Sequence, residues 1–281
     1  MNMKTRLHAL VVFALALGST MSLSAEAQDG VHPYLTEKFF LDLGVFFPER
    51  SVEMGVDGPV SAAGNDIDFD RSFGLKNSDE VFSLNFGWRF GKKWQLGVQY
   101  FASSGERSKV LQEDVVWNDI TFGQGTGIAA GQDFELERLF FARKFMTSDK
   151  QEFGLGLGIH RLEVGAFIEG NAVIDGAPAG FRRETVSAVA PLPNIGAWYA
   201  YSFSPKWVFT ARLDWLSAKV GEYSGRLINT AVGLNYQIFE HAGLGLNYNL
   251  FDLDLDVDKQ GWHGNVNTSY EGLFAHLSFY W

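Results

Sequence analysis

From Phe39 onward, large apolar residues recur at every second position. The clearest run is Phe82-Ser83-Leu84-Asn85-Phe86-Gly87-Trp88-Arg89-Phe90, with one apolar face and one polar or glycine face. A period of two predicts half-buried β-strands. Gly91-Lys92-Lys93 separates this run from Trp94-Gln95-Leu96-Gly97-Val98-Gln99-Tyr100, and Ser204-Pro205-Lys206 separates the runs at residues 195–203 and 207–215. Both links read as tight hairpins, since proline suits a turn and not a central strand. Two further short links fall at Glu240-His241 and between Met146 and Glu152. Between them lie longer, polar, glycine-rich connections at residues 52 to 68, 105 to 132, 167 to 187, 217 to 225 and 252 to 266.

Four short and five long connections, strictly alternating, separate ten antiparallel strands and put both chain ends on the short-turn side. Residues 134 to 145 are the weak point, because Leu139-Phe140-Phe141-Ala142 is apolar on both faces and leaves the register open. Eight or twelve strands therefore also remain open. The apolar face could meet a shared core in a soluble sandwich or face lipid in a transmembrane barrel. Position decides for the barrel: Phe90, Trp94, Phe145, Phe153, Phe203, Trp207, Phe239 and Trp281 all sit where strands meet the short turns. That is one interfacial girdle of a membrane barrel, on its periplasmic side.

The absence of cysteine among 281 residues excludes a disulfide scaffold, and a hydrophobic content of 46% excludes disorder. The formal charge of −10 argues against a nucleic-acid partner. The N-terminus carries Lys4 and Arg6, an apolar run from Ala9 to Leu17, and Ala25-Glu26-Ala27. This is the layout of a secretory signal peptide over residues 1–27, cut after Ala27. A barrel domain over residues 28–281 follows, opening with a short periplasmic stretch from Gln28 to Lys38.

The last strand, Leu273-Phe274-Ala275-His276-Leu277-Ser278-Phe279-Tyr280-Trp281, ends on an aromatic with apolar residues at alternate positions before it. It resembles the C-terminal signature of Gram-negative outer-membrane β-barrel proteins. That resemblance implies an outer-membrane location, contact with outer-membrane lipid and lipopolysaccharide, and recognition of Leu277, Phe279 and Trp281 by the outer-membrane assembly machinery. It assigns no activity.

With the apolar face toward lipid, the interior receives Asn85, Arg89, Gln95, Gln99, Trp198, Arg212, Asp214, Asn229, Asn235, Gln237, Asn247, Asn249 and His276. Ten strands with Arg and Trp inside make a narrow or blocked lumen. Arg89, Gln99, Arg212, Asp214, Asn235 and Asn247 would line a narrow pore, or Arg212 and Asp214 would form a structural ion pair. The His276-x-Ser278 pair resembles that of outer-membrane lipid A deacylases, but no acidic partner is evident and the pair lies at the periplasmic end. A ten-stranded barrel is also similar to the omptin proteases; Asp66-Ile67-Asp68 could mimic their acidic pair, and Asp258 or His263 part of their Asp-His pair.

Asp252, Asp254, Asp256 and Asp258 share one strand face about 7 Å apart and read as a solvated strand extension above the membrane. Gly123-Gln124-Gly125-Thr126-Gly127 reads as a flexible outer loop, Phe181-Arg182-Arg183 as a basic knot able to touch lipopolysaccharide phosphates, and His160 as an interior space-filler. No cofactor, metal or catalytic group is expected. The expected role is non-enzymatic and monomeric: a structural or surface-interaction protein or a narrow solute pore, with an outer-membrane hydrolase as the alternative.

Overall fold

A computed structural model describes residues 31–57, 67–68, 81–117, 120–174, 176–259 and 262–281. The signal segment at residues 1–27 and Asp66 lie outside the described residues. The strands are β1 (Phe39–Asp57), β2 (Ile67–Asp68), β3 (Val81–Phe90), β4 (Trp94–Val110), β5 (Val115–Trp117), β6 (Ile120–Phe122), β7 (Gly127–Thr147), β8 (Gln151–Ile174), β9 (Ala177–Ser204), β10 (Trp207–Val220), β11 (Tyr223–Phe239), β12 (Ala242–Lys259) and β13 (Trp262–Tyr280). One short helix, α1 (Pro33–Thr36), precedes them.

Among the described residues, β1, β3, β4 and β7 to β13 pair antiparallel in chain order, and β13 pairs back onto β1. The ring closes at the chain's end, where the Phe39 N–H donates to the Trp281 carbonyl at 2.8 Å and the Trp281 N–H to the Phe39 carbonyl at 3.1 Å. Closure leaves no open strand edge within the apolar band, which a sheet in lipid requires. The short turns are tight, and Gly91 takes a left-handed φ of 57° that other residues resist.

A single parity runs through the ring. On β12, Leu244, Leu246, Tyr248 and Leu250 point outward, while Gly245, Asn247 and Asn249 point inward. Beyond Leu250 the chemistry inverts without any change of parity. Asp252, Asp254, Asp256 and Asp258 now point outward, and Phe251, Leu253, Leu255 and Val257 are buried inside. The same inversion falls between Leu139 and Glu137 on β7, Ile159 and Arg161 on β8, Leu273 and Glu271 on β13, and Phe47 and Glu49 on β1. Below it, most strands offer four or five outward apolar positions, with Arg143 interrupting the face of β7, enough for an apolar band of about 25 Å with tilted strands.

This corrects the long polar connections at residues 105 to 132, 167 to 187, 217 to 225 and 252 to 266. They are largely ladder: β8 and β9 stay paired out to Ile174 and Ala177, and β12 and β13 out to Lys259 and Trp262. Their polarity comes from outward residues standing in water, not from irregular backbone. The open register at residues 134 to 145 resolves the same way. Phe140 and Ala142 point inward and Leu139, Phe141 and Phe145 outward, so both faces of that stretch are apolar for different reasons.

Above the band the ring parts into two walls. β9 pairs with β10 only up to Ile195 and Trp215, and β3 covers β4 only as far as Phe101. The wall of β4, β7, β8 and β9 faces the wall of β10, β11, β12, β13 and β1 across one apolar core. Pro191 and Pro193 lie on the stretch of β9 beyond its pairing with β10, where missing N–H groups blunt a free edge.

Inward glycines make room for large neighbours inside the band. A Cβ on Gly154 would fall within the Trp198 ring, and one on Gly87 within the Phe40 ring, whereas a Cβ on Gly97 would meet nothing closer than 3.7 Å. Gly154→Ala is therefore expected to lower unfolding stability in lipid vesicles by about 1–3 kcal/mol, and Gly97→Ala to leave the urea midpoint nearly unchanged. Equal effects of the two would contradict this packing.

Candidate functional site

The interior is layered along the barrel axis. At the short-turn end, the stretch read from sequence as simply periplasmic turns up into the barrel. His32 caps α1 by accepting from the Tyr34 N–H at 3.1 Å, and proline suits the first helical turn. Tyr34 is buried among Phe40, Ala200, Val208 and Tyr280, with the Arg89 guanidinium 5.0 Å from its ring centroid. His32 packs edge-on against Tyr280 at 5.6 Å.

Above Tyr34 lies a charged layer. Glu152, fully buried, accepts from Lys144 Nζ at 2.9 Å, Trp198 Nε1 at 2.8 Å and Arg89 Nη2 at 3.3 Å. Asp214, also fully buried, accepts from Arg138 Nη2 at 2.6 Å and Asn194 Nδ2 at 3.2 Å. The pair expected from sequence was Arg212 with Asp214; that contact is a long 3.7 Å, and Arg138 is the carboxylate's true partner. Arg212 instead donates through Nη2 to Asn229 Oδ1 at 3.2 Å, and Asn229 donates to Gln99 Oε1 at 3.2 Å.

Asn235 Oδ1 lies 2.9 Å from His276 Nε2, and Asn247, on the adjacent strand β12, lines the same cavity wall. His160 is completely buried beside Asn229, filling space at the head of the glycine face of β8. Arg138, Lys144, Glu152 and Asp42 are not among the interior residues read from sequence. Arg138 and Lys144 lie on the strand whose register the sequence leaves open, and Glu152 lies in the stretch from Met146 that reads as a short link. The parity of β1, with Phe40 and Gly44 on the same face as Asp42, was the available signal for the last.

Asp42 also supplies the acid that the sequence does not reveal near His276 and Ser278. Ser278 Oγ donates to Asp42 Oδ1 at 2.8 Å, and His276 Nε2 stands 3.8 Å from the same oxygen. Serine and histidine both address the carboxylate, however, and the imidazole does not sit on the serine hydroxyl as nucleophile activation requires. With all three side chains buried, the trio is an interior hydrogen-bond cluster.

At the level of the inversion, Phe46, Phe101, Phe134, Phe251 and Tyr270 pack as an aromatic layer, with ring centroids 5.0 to 5.7 Å apart for Phe46–Phe101, Phe101–Phe134, Phe101–Tyr270, Phe134–Phe251 and Phe134–Tyr270. Above it the hairpin of β5 and β6 buries Trp117 and Phe122 completely in the apolar core. The segment Gly123-Gln124-Gly125-Thr126-Gly127 is a turn below that hairpin, with the Gln124 N–H donating to Asp114 Oδ1 at 2.7 Å.

The girdle residues lie on the outside at the short-turn end. Trp281 stacks on Phe39 at 5.5 Å, Trp88 tilts on Phe90 at 4.9 Å, Trp94 stacks on Phe141 at 5.0 Å and Trp207 tilts on Tyr236 at 4.7 Å. Phe203 is exposed and meets Tyr201 edge-on, and Leu277 and Phe279 share the outward face of β13.

Outside and above the band, Arg161 is held by Glu163 at 2.7 Å, Glu137 at 3.2 Å and Glu135 at 3.7 Å, and these bonds raise its already high pKa. Burial, then the like charges of Glu163 and Glu106, push the Asp133 carboxyl up. Arg183 is bound to Glu169 at 2.6 Å and lies 3.8 Å from the Phe167 ring centroid. Its register opposite Glu169 places it roughly 30 Å along the strand from Ile159, far above the band. Asp258 Oδ1 meets His263 Nδ1 at 2.7 Å across the tip of the β12–β13 hairpin, both side chains exposed. Ile67 is buried where β2 pairs with β1. In the aspartate row on β12, Asp254 also pairs with Arg226 at 3.3 Å, and no group of three metal-binding side chains occurs among the described residues.

Glu152 is the most heavily engaged group in this interior. Glu152→Gln, which strands two buried cations, is expected to cost roughly 3–5 kcal/mol of unfolding stability, read as a lower urea midpoint of the refolded protein. An unchanged midpoint would remove Glu152 from its structural role.

No protein-family model matches the chain, and no curated protein is similar to it in sequence. Among solved structures it is similar to the outer membrane protease OmpT from Escherichia coli, with a TM-score of 0.57 and 10% identity over 93% of this chain and 99% of that one. Ail, the attachment invasion locus protein of Yersinia pestis, aligns at a TM-score of 0.33 and 12% identity over 86% of this chain and 99% of its own. The toluene transporter TodX of Pseudomonas putida aligns at 0.33 and 11%, over 88% and 90%. The fold is that of the Gram-negative outer-membrane β-barrels.

Proposed function

We propose that this protein is a non-conducting, non-enzymatic barrel of the outer membrane that holds a rigid acidic structure at the cell surface for interaction with other molecules. The observation that carries this reading is the filling of the barrel along its axis: α1 with Tyr34 at one end, the charged layer around Glu152 and Asp214, then the aromatic layer and the apolar core between the two walls. A solute path would need to dismantle at least two of these layers. The two walls, by contrast, carry exposed carboxylates such as Asp256 and Asp258 on paired backbone, an ordered surface suited to a cationic partner. In this reading the chain works as a monomer, Leu277, Phe279 and Trp281 serve assembly, and lipopolysaccharide surrounds the carboxylates just above the band.

Planar-bilayer recording tests it. The refolded wild type, and a variant lacking residues 28–36, are both expected to stay silent, because the aromatic layer survives that deletion. Discrete conductance steps that change in Arg212→Ala would replace the proposal with a pore whose constriction is the charged layer.

A second reading, proteolysis, is favoured by the Asp258–His263 pair alone. Both side chains are exposed at a hairpin tip, which leaves the carboxylate and imidazole without a dry site to act in. Incubating the refolded protein with unstructured peptides is expected to leave them intact. Cleavage abolished by His263→Ala would overturn the first reading.

A further inference from the structure

The barrel interior holds a cavity of about 100 Å³ between Tyr34 and the aromatic layer. Its wall is uneven. β7 and β10 bring Arg138 and Arg212, whereas β11 and β12 bring Ala231, Asn235, Asn247 and Asn249, small or amide groups. Asn235 has its oxygen occupied by His276, so its amide N–H groups are the donors left to the chamber.

The charges around this space do not balance. Among the described residues the interior cations are Arg89, Arg138, Lys144 and Arg212, and the interior carboxylates are Asp42, Glu152 and Asp214. Glu152 is shared by Arg89 and Lys144, and Asp214 is committed to Arg138. Arg212 is the cation left over: its one short bond goes to a neutral amide, its Nε lies 3.7 Å from Asp214, and that nitrogen is buried without a hydrogen-bond partner. A guanidinium cannot shed its proton, and an uncompensated buried charge costs several kcal/mol. The Nε of Arg138, which lines the same chamber, is likewise unpartnered.

We infer that the chamber binds a small monovalent anion of halide size at the Arg212 guanidinium, with the Asn235 amide as a further donor. The anion neutralises the unmatched cation and supplies the acceptor that the buried N–H groups lack. Asp42, on the same wall, sets its limit: a carboxylate facing the space disfavours divalent anions and keeps the site on the Arg212 side.

The test replaces chloride with bromide. Crystals of the refolded full barrel grown in bromide should give one anomalous peak per chain within about 3.5 Å of the Arg212 guanidinium, absent from Arg212→Met crystals. In parallel, the wild-type urea midpoint should be higher in chloride than in gluconate at equal ionic strength, and Arg212→Met should lose that difference. Absence of the peak at high bromide, a peak that survives Arg212→Met, or a midpoint indifferent to the anion would overturn the site and leave a chamber holding water only. If Arg212→Met does not refold, Arg212→Lys serves instead: it keeps the charge but not the fork, and should weaken the peak.

Discussion

Backbone closure between Phe39 and Trp281 is the constraint on which the rest depends. In lipid an open edge would leave a row of unpaired N–H and C=O groups, so the first and last strands must meet. Once they do, the period of two assigns every side chain to the inside or the outside, and a slip of one residue would invert a whole strand. The closure therefore fixes which residues face lipid, which fill the lumen and which meet water above the band. The stacking of Trp281 on Phe39 anchors the joint at the membrane interface, where an aromatic ring is best accommodated.

What the closed ring must then solve is a full interior. Among the described residues the ring encloses little width once Arg89, Arg138, Arg212 and Trp198 point inward. Glycine resolves the crowding within the band: Gly154 yields to Trp198, Gly196 to Asp214 and Gly245 to His276. Glycine costs entropy in a strand, and a ring closed on both sides can bear that cost because its neighbours hold it extended. The charged layer follows from the same geometry. Lys144 and Arg89 reach Glu152 only because the glycine face beside it leaves the space open.

Much of this was legible in the chain. The alternation in residues 82–90 and 94–100, the turn at Gly91-Lys92-Lys93, the girdle and the parity of the last strand all follow from local pattern, since each strand within the band repeats a two-residue code. Three things were not legible. The extent of the outer strands was hidden because inversion of polarity at Leu250 and Phe251 looks like the end of a strand when it is only the end of the lipid. The partners of Asp214 and Glu152 were hidden because cross-barrel contacts such as Arg138 with Asp214 join residues 76 positions apart, which no local spacing reports. The inward turn of His32 and Tyr34 was hidden because α1 is too short to carry a periodic signal.

The inversion also bears on what the molecule is for. A barrel that needed only to cross the membrane could stop its strands at Leu250, Ile159 and Phe47. This one continues β8 to Ile174 and β9 back from Ala177, and fills the space between its walls with Phe134, Leu162, Ile168, Leu255 and Val266. That core is apolar where the band's interior is polar, because above the membrane the outer face takes water and the inner face can be dry. The extension thus has the physics of a soluble two-layered domain set on a membrane base, blunted at its seam by Pro191 and Pro193. On the reading proposed above, such a domain closes the axis and holds its outward carboxylates, Asp256 and Asp258 among them, well clear of the lipid.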